Sequence, residues 1–362
     1  TIYMRKFLLM VCLAAVSAAG ISGKPVYSDA SLFPVYGKIT DDTYTRYERL
    51  PGSLEGAVRR PVWNLGRNSA GLYVRFRSDS PVIYLKWEAL YNNSMNHMTD
   101  TGTKGLDLYA LTEDDGWRFV GSARPSGKAS QAEIVCGAEE REYMLYLSLY
   151  DGVSSLEIGT EEGFSLNQPA VMSPRASRPV IMYGTSILQG GCASRPGMAH
   201  TSILSRRLDR EVINLGFSGN ALIDYEIAEL MASYDRPGVF VLDYVPNASV
   251  EQIDGKAEKF FRILRDAHPD VPVVFVELPE YPTVRFNGKV SDTVLRKKAA
   301  QRGVYDRLRK AGEKNIYYIS SAGMIGEDGE ATVDGIHFTD LGMMRYVDHV
   351  LPVIRKALGN KK

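Results

Sequence analysis

Residues 179–190 read PVIMYGTSILQG. The first five form a continuous apolar run, the pattern of a strand buried on both faces. Gly184 follows as a turn position and Ser186 stands just beyond it. Further apolar runs lie at 212–217 (VINLGF), 239–244 (VFVLDY), 273–278 (VVFVEL) and 316–320 (IYYIS). Helical patterns separate them near 199–208, 221–234, 250–268 and 294–311. Strand alternating with helix predicts a parallel sheet covered on both faces, a flavodoxin-like three-layer α/β/α arrangement. Ligands in such sheets bind outside the carboxyl ends of the strands, which is where Ser186 falls.

A serine hydroxyl needs a base and an oxyanion site to act as a nucleophile. Candidates follow in order. NLGFSGN (214–220) supplies Gly219, DYVPN (243–247) supplies Asn247, and DGIHFTD (334–340) supplies Asp334 and His337. His337 is the candidate base and Asp334, three residues earlier, the group that would hold its ring. The N–H groups of Ser186 and Gly219 and the amide of Asn247 are the candidate oxyanion donors. Each block taken alone also fits a turn or a helix cap.

These four blocks resemble those of the SGNH (GDSL-like) hydrolase family, over roughly residues 178–358. One departure is visible: Thr185 stands where the family's first block usually has aspartate. The resemblance implies an ester hydrolase working through an acyl-enzyme, and since the sequence has no Gly-rich phosphate loop and no HExxH-type ligand set, no cofactor or metal is expected.

Upstream the pattern is β. Residues 71–77, 82–87, 106–111, 117–120 and 142–147 alternate or cluster apolar and aromatic residues, and turn formers at 79–81, 114–116 and 151–152 separate them. This predicts an all-β sandwich, jelly-roll-like, over 27–166, with no helix of useful length. Residues 105–109, GLDLY, are similar to a GxDLY motif in a β domain that precedes some SGNH hydrolases. Trp63, Trp87 and Trp117 all lie here and are either core residues or platforms for sugar rings. The polar stretch 91–102, with Asn92, Asn93, Asn96 and His97, is either a solvated loop or one that reaches the neighbouring site. Residues 167–178, rich in Pro, Ser and Arg, read as a linker, and 179–358 as the hydrolase domain.

The first twenty residues have the layout of a cleaved secretory signal: Arg5 and Lys6, an apolar run over 7–16, then small residues. An extracytoplasmic protein is expected, with no transmembrane segment in the mature chain. The chain has 362 residues, 44% of them apolar, and 43 basic against 43 acidic side chains, which gives no charge to attract nucleic acid. Cys136 and Cys192 are expected to be separate thiols, in no metal-binding spacing. His200, His268 and His349 read as structural residues, Asp243 as a structural hydrogen-bond partner, and Glu277, Glu280 and Tyr281 as candidates for the pocket wall. The expected substrate is an acylated carbohydrate that loses O-acetyl groups. A lipid or thioester hydrolase, and a glycan-binding protein with an inactive hydrolase domain, are the alternatives.

Overall fold

The structure is a computed structural model that describes residues 23–114 and 116–359. The signal-like segment 1–20 lies outside the described residues.

The C-terminal half is built on strands Arg175–Gly184, Arg210–Gly216, Val239–Asp243, Val273–Val276 and Ile316–Ile319. All pair in parallel, in the spatial order 2-1-3-4-5. That is the flavodoxin-like order, with the switch point beside the first strand. Every residue of the third and fourth strands is buried, as their unbroken apolar sequences require. The crossover helices bury one apolar stripe each. Helix Val250–Ala267 opens on a capping box between Ser249 and Gln252 and turns Ile253, Ala257, Phe260, Phe261 and Leu264 inward.

The N-terminal half is two antiparallel sheets. One orders Pro25–Asp29, Val153–Glu161, Val82–Ala89 and Ala129–Val135. The other orders Leu166–Asn167, Tyr73–Ser78, Arg141–Tyr146, Leu106–Thr112 and Gly116–Ala123, and Val35–Tyr36 pairs with Tyr73–Ser78. Ile83, Leu85, Trp87, Leu156 and Ile158 of the first share one core with Val74, Phe76, Leu108, Tyr143 and Leu145 of the second. All three tryptophans are buried, so none is a platform for sugar. Two short helices, Arg60–Gly66 and Asp100–Lys104, depart from the all-strand expectation. Both are too short to leave a readable period in the sequence. The first is held by Val62 and Trp63 packed into the core of the parallel-sheet half, and the second is capped by the Thr99 hydroxyl.

The two halves are tied by buried polar contacts. In GLDLY, Asp107 is fully buried, and its Oδ2 accepts from the Arg195 guanidinium (2.9 Å) and the Gly197 N–H (2.8 Å). The Tyr109 hydroxyl accepts from the same guanidinium at 2.7 Å. Arg195 lies over the Phe119 ring, 3.8 Å from its centroid. Arg49, 1% exposed, donates to the carbonyls of Leu65 and Asn68 in its own half and to those of Asn214 and Gly216 in the other. Residues 168–174 are fastened as well. Glu142 Oε1 accepts the N–H groups of Ala170 (2.6 Å) and Val171 (3.1 Å), and Ser173 Oγ donates to Asp209 at 2.5 Å. From Arg175 onward the chain is already part of the first parallel strand.

Candidate active site

The first parallel strand ends at Gly184, and Thr185 caps the short helix Ser186–Gln189 by accepting the Ile187 N–H on its hydroxyl. Threonine therefore fills the capping role that an aspartate could fill at this position. Gly190, at φ 115°, closes the helix in a conformation that favours glycine. A Cβ on Gly184 would come within 2.8 Å of the Asp243 carbonyl oxygen, so the tight passage excludes a side chain. Ser186 is thus presented at the carboxyl edge of the sheet.

Ser186 Oγ lies 2.9 Å from His337 Nε2, and His337 Nδ1 lies 2.7 Å from Asp334 Oδ2. The other Asp334 oxygen accepts the N–H groups of Ile336 (3.0 Å) and His337 (2.8 Å). This Asx-type turn passes through Gly335 at φ 88° and brings carboxylate and ring onto one side of the loop. Burial pushes the Asp334 carboxyl upward, but its bonds to the His337 ring and to the two N–H groups outweigh that and hold it below its ordinary range. An ionised Asp334 accepts from Nδ1–H, which leaves the Nε2 lone pair toward Ser186.

Gly219 sits at φ 67°, and a Cβ built there meets nothing within 4 Å. Its neighbour Ser218 is held by Gln189, whose Oε1 accepts the Ser218 N–H at 3.0 Å. Asn247 Oδ1 accepts the Ala221 N–H at 3.2 Å, which links the Asn247 turn to the 217–221 loop. Among the described residues its amide Nδ2 has no partner. Ser186, His337 and Asp334 are therefore joined in one hydrogen-bonded chain, and Gly219 and Asn247 flank the linked loops at the same edge.

Two residues without a sequence signal, Gln189 and Tyr150, support this arrangement, and His97 of the polar stretch stands beside it. Gln189, fully buried, also donates to Asn68 Oδ1 and the Leu149 carbonyl, both 3.1 Å away. The Tyr150 hydroxyl donates to the Ser186 carbonyl at 3.1 Å. His97 stands with its ring centroid 5.5 Å from that of His337. The loop bearing His97 is anchored, because Asp151 accepts the N–H groups of Tyr91 (2.9 Å) and Asn93 (2.7 Å). The polar stretch 91–102 thus reaches the site. Cys192 is buried beside it, and burial, with the Asp334 carboxylate nearby, pushes its thiol up to about 12. Cys136 and Cys192 are both free.

Of the remaining candidates, Glu280 and Tyr281 line cavities and the others make structural contacts. Glu277 accepts from Tyr318 (2.9 Å) and from the N–H and hydroxyl of Ser321 (both 2.8 Å) and pairs with Lys298 at 3.5 Å. Asp243 accepts from the Tyr346 hydroxyl at 2.7 Å. His200 is fully buried against Tyr346, and burial pushes its pKa down to about 3. His268 and His349 each lie against a backbone carbonyl. Tyr281 lines a cavity of about 560 Å³ whose wall also includes Pro246, Leu278, Phe286, Asp334 and Ile336.

A flavodoxin-like sheet with a Ser–His–Asp chain at its carboxyl edge has the architecture of an α/β ester hydrolase. The chain belongs to the GDSL-like lipase/acylhydrolase family, whose members act on esters: residues 177–355 match it. Residues 26–166 match the GxDLY family, described as the N-terminus of SGNH-hydrolase-type esterases. A GDSL-like lipase from Bacteroides ovatus is 36% identical over 93% of this chain and 99% of its own, with a TM-score of 0.88. The salicylyl-acyltransferase SsfX3 from a tetracycline biosynthetic pathway shares the fold at 16% identity and a TM-score of 0.74, over 92% of this chain and 98% of its own. A family two carbohydrate esterase from Cellvibrio japonicus shares it at 14% identity and a TM-score of 0.56, over 93% and 99%. No curated protein matches the chain.

Proposed function

We propose that the chain is a serine esterase in which Ser186 attacks an ester carbonyl and His337 takes its proton. Asp334 holds the imidazole in the tautomer that accepts at Nε2 and stabilises the imidazolium. The oxyanion is met by the N–H groups of Ser186 and Gly219 and by the free Asn247 amide. The alcohol leaves with the proton from His337, an acyl-enzyme remains, and the same histidine activates water to release the acid. The hydrogen-bonded chain Ser186–His337–Asp334 carries this reading.

For substrate, the reading is an O-acylated carbohydrate losing acetyl groups, in an extracytoplasmic setting. Its support is the signal-like first twenty residues and the shared two-part architecture with carbohydrate esterases. The buried tryptophans withdraw the support a sugar platform would have lent. A second reading, a longer or bulkier acyl group, is favoured by the largely apolar cavity next to Asp334 and Ile336. Acetate release from a panel of acetylated oligosaccharides, run beside aryl esters of increasing acyl length, tests both. A kcat/KM that peaks at acetyl supports deacetylation. A peak at medium acyl chains contradicts it and assigns the cavity to the acyl group.

A further inference from the structure

His97, Cys192 and His337 come from three segments far apart in sequence, and one ring nitrogen of each histidine and the Cys192 sulfur all lie within 4.8 Å of one another. The geometry points to a regulatory transition-metal site, selective for Zn²⁺-like ions, that closes over the reactive histidine and shuts the enzyme off. Both imidazoles present the nitrogen such a site needs. His337 donates Nδ1–H to Asp334, and His97 has Asn96 Oδ1 3.0 Å from its Nδ1. A carboxylate and a carboxamide oxygen are acceptors there, so each ring carries its proton on Nδ1 and keeps a lone pair on Nε2, which in His337 accepts from Ser186 until a metal takes its place. Supporting a metal-binding histidine through its second nitrogen fixes its tautomer and raises its basicity.

The ligand set is two imidazoles and a thiolate, a combination suited to Zn²⁺ and unsuited to Mg²⁺ or Ca²⁺. Tetrahedral Zn²⁺, with Zn–N of about 2.0–2.1 Å and Zn–S of about 2.3 Å, sets its ligand atoms roughly 3.3–3.8 Å apart. From separations of up to 4.8 Å the ligand atoms therefore need to close by about 1–1.5 Å, shared among rotations of the half-buried His97 and His337 side chains and of Cys192. On binding, the Cys192 S–H bond breaks, its proton goes to solvent, and the sulfur pair forms the S–Zn bond. His337 gives up its hydrogen bond to Ser186, because the metal takes the same Nε2 lone pair. The fourth position is left for water. Because His97 belongs to the β half and the other two ligands to the hydrolase half, the metal also bridges the two.

Metal binding itself is independent of the esterase reading, whereas the shut-off rests on it, so the two are measured separately. Cobalt(II) titrated into the Ser186→Ala protein, which keeps all three ligands, should give a near-ultraviolet sulfur-to-cobalt charge-transfer band that saturates at a single equivalent and is displaced by Zn²⁺. Cys192→Ala should abolish the band. Cys192→Ala and His97→Ala should each weaken Zn²⁺ affinity beyond the about 10–100-fold that loss of a supporting partner costs. In the native chain, Zn²⁺ should block ester hydrolysis, a chelator should restore it, and both variants should hydrolyse ester while resisting Zn²⁺. Absence of the band, or Zn²⁺ affinity unmoved in the His97→Ala protein, overturns the site. Zn²⁺ that binds as described but leaves hydrolysis untouched overturns the shut-off.

Discussion

His337 Nδ1 lies 2.7 Å from the Asp334 carboxylate, three residues earlier in the same loop. That carboxylate is itself fixed by two backbone N–H groups, so ring and acid move as one unit. Asp334→Asn keeps the shape but offers an amide where Nδ1–H needs an acceptor. It should lower kcat by about 10²–10⁴-fold, as loss of the tautomer does in triad enzymes. The check is kcat on an aryl acetate at neutral pH, with circular dichroism to confirm the fold.

The same carboxyl predicts an acid-side stability effect. Its folded pKa is depressed, so the contribution to stability is present above the unfolded value of about 3.9 and is lost as pH falls through the lower folded value. Thermal midpoints measured from pH 5 down to pH 3 should fall more steeply in the native chain than in Asp334→Asn. Parallel slopes would contradict the assignment of the depressed value to Asp334.

Asn247→Asp keeps an oxygen for the Ala221 N–H but removes the free amide donor and adds negative charge. It should cost on the order of 10²–10³ or more in kcat, since such donors act on charge that develops in the transition state. The thermal midpoint should move little. A rise in KM with unchanged kcat would show that Asn247 binds the ground state instead.

Asp243, buried at the end of the third parallel strand, has its pKa pushed up to about 6 by burial, partly offset by the bond from Tyr346. A raised carboxyl pKa means the folded state binds more protons between the unfolded value near 4 and about 6. Stability should therefore fall as pH rises through that window and stay lower above it. Asp243→Asn, which can still accept from Tyr346, should raise the thermal midpoint at pH 8 relative to native and lose that advantage by pH 4. Equal midpoints at both pH values would contradict the raised value.

Arg49 donates to four backbone carbonyls across the two halves and has no carboxylate partner among the described residues. Burial lowers its pKa to about 9. Arg49→Met keeps much of the volume but strips those carbonyls of their donors. The expected loss is about 3–5 kcal/mol, because buried acceptors left unpaired cost about 1–3 kcal/mol each and relaxation recovers part of it. Urea denaturation measures it. A loss under about 1 kcal/mol, the size of one ordinary hydrogen bond, would show that water replaces the guanidinium.

The parallel sheet was legible because its strands are apolar runs bounded by Gly, Asp and Asn, and one-sided burial leaves a helical period between them. The polar residues at strand ends were legible for the same reason: Ser186, Asn247 and His337 interrupt or follow patterns they do not continue. What escaped the sequence depends on contacts between distant segments. Arg175 sits in a Pro- and Ser-rich stretch, yet its backbone pairs with Arg210 and begins the first strand. Gln189 reads as one more helix residue, and only the fold shows it gripping Ser218. His97 and Cys192 lie 95 positions apart and meet only when the β half docks. Asp107 of GLDLY has a physical role only through Arg195, which reaches it from the other half of the chain.

The most direct test of the central claim is intact-protein mass spectrometry after treatment with a fluorophosphonate, which phosphonylates an activated serine. The account predicts one adduct per chain, on the peptide containing Ser186, formed in step with loss of ester hydrolysis and absent from the Ser186→Ala protein. That variant should fold normally and lose roughly 10⁴-fold or more in kcat. An adduct on another residue, or a folded Ser186→Ala protein that keeps most of its activity, would contradict it.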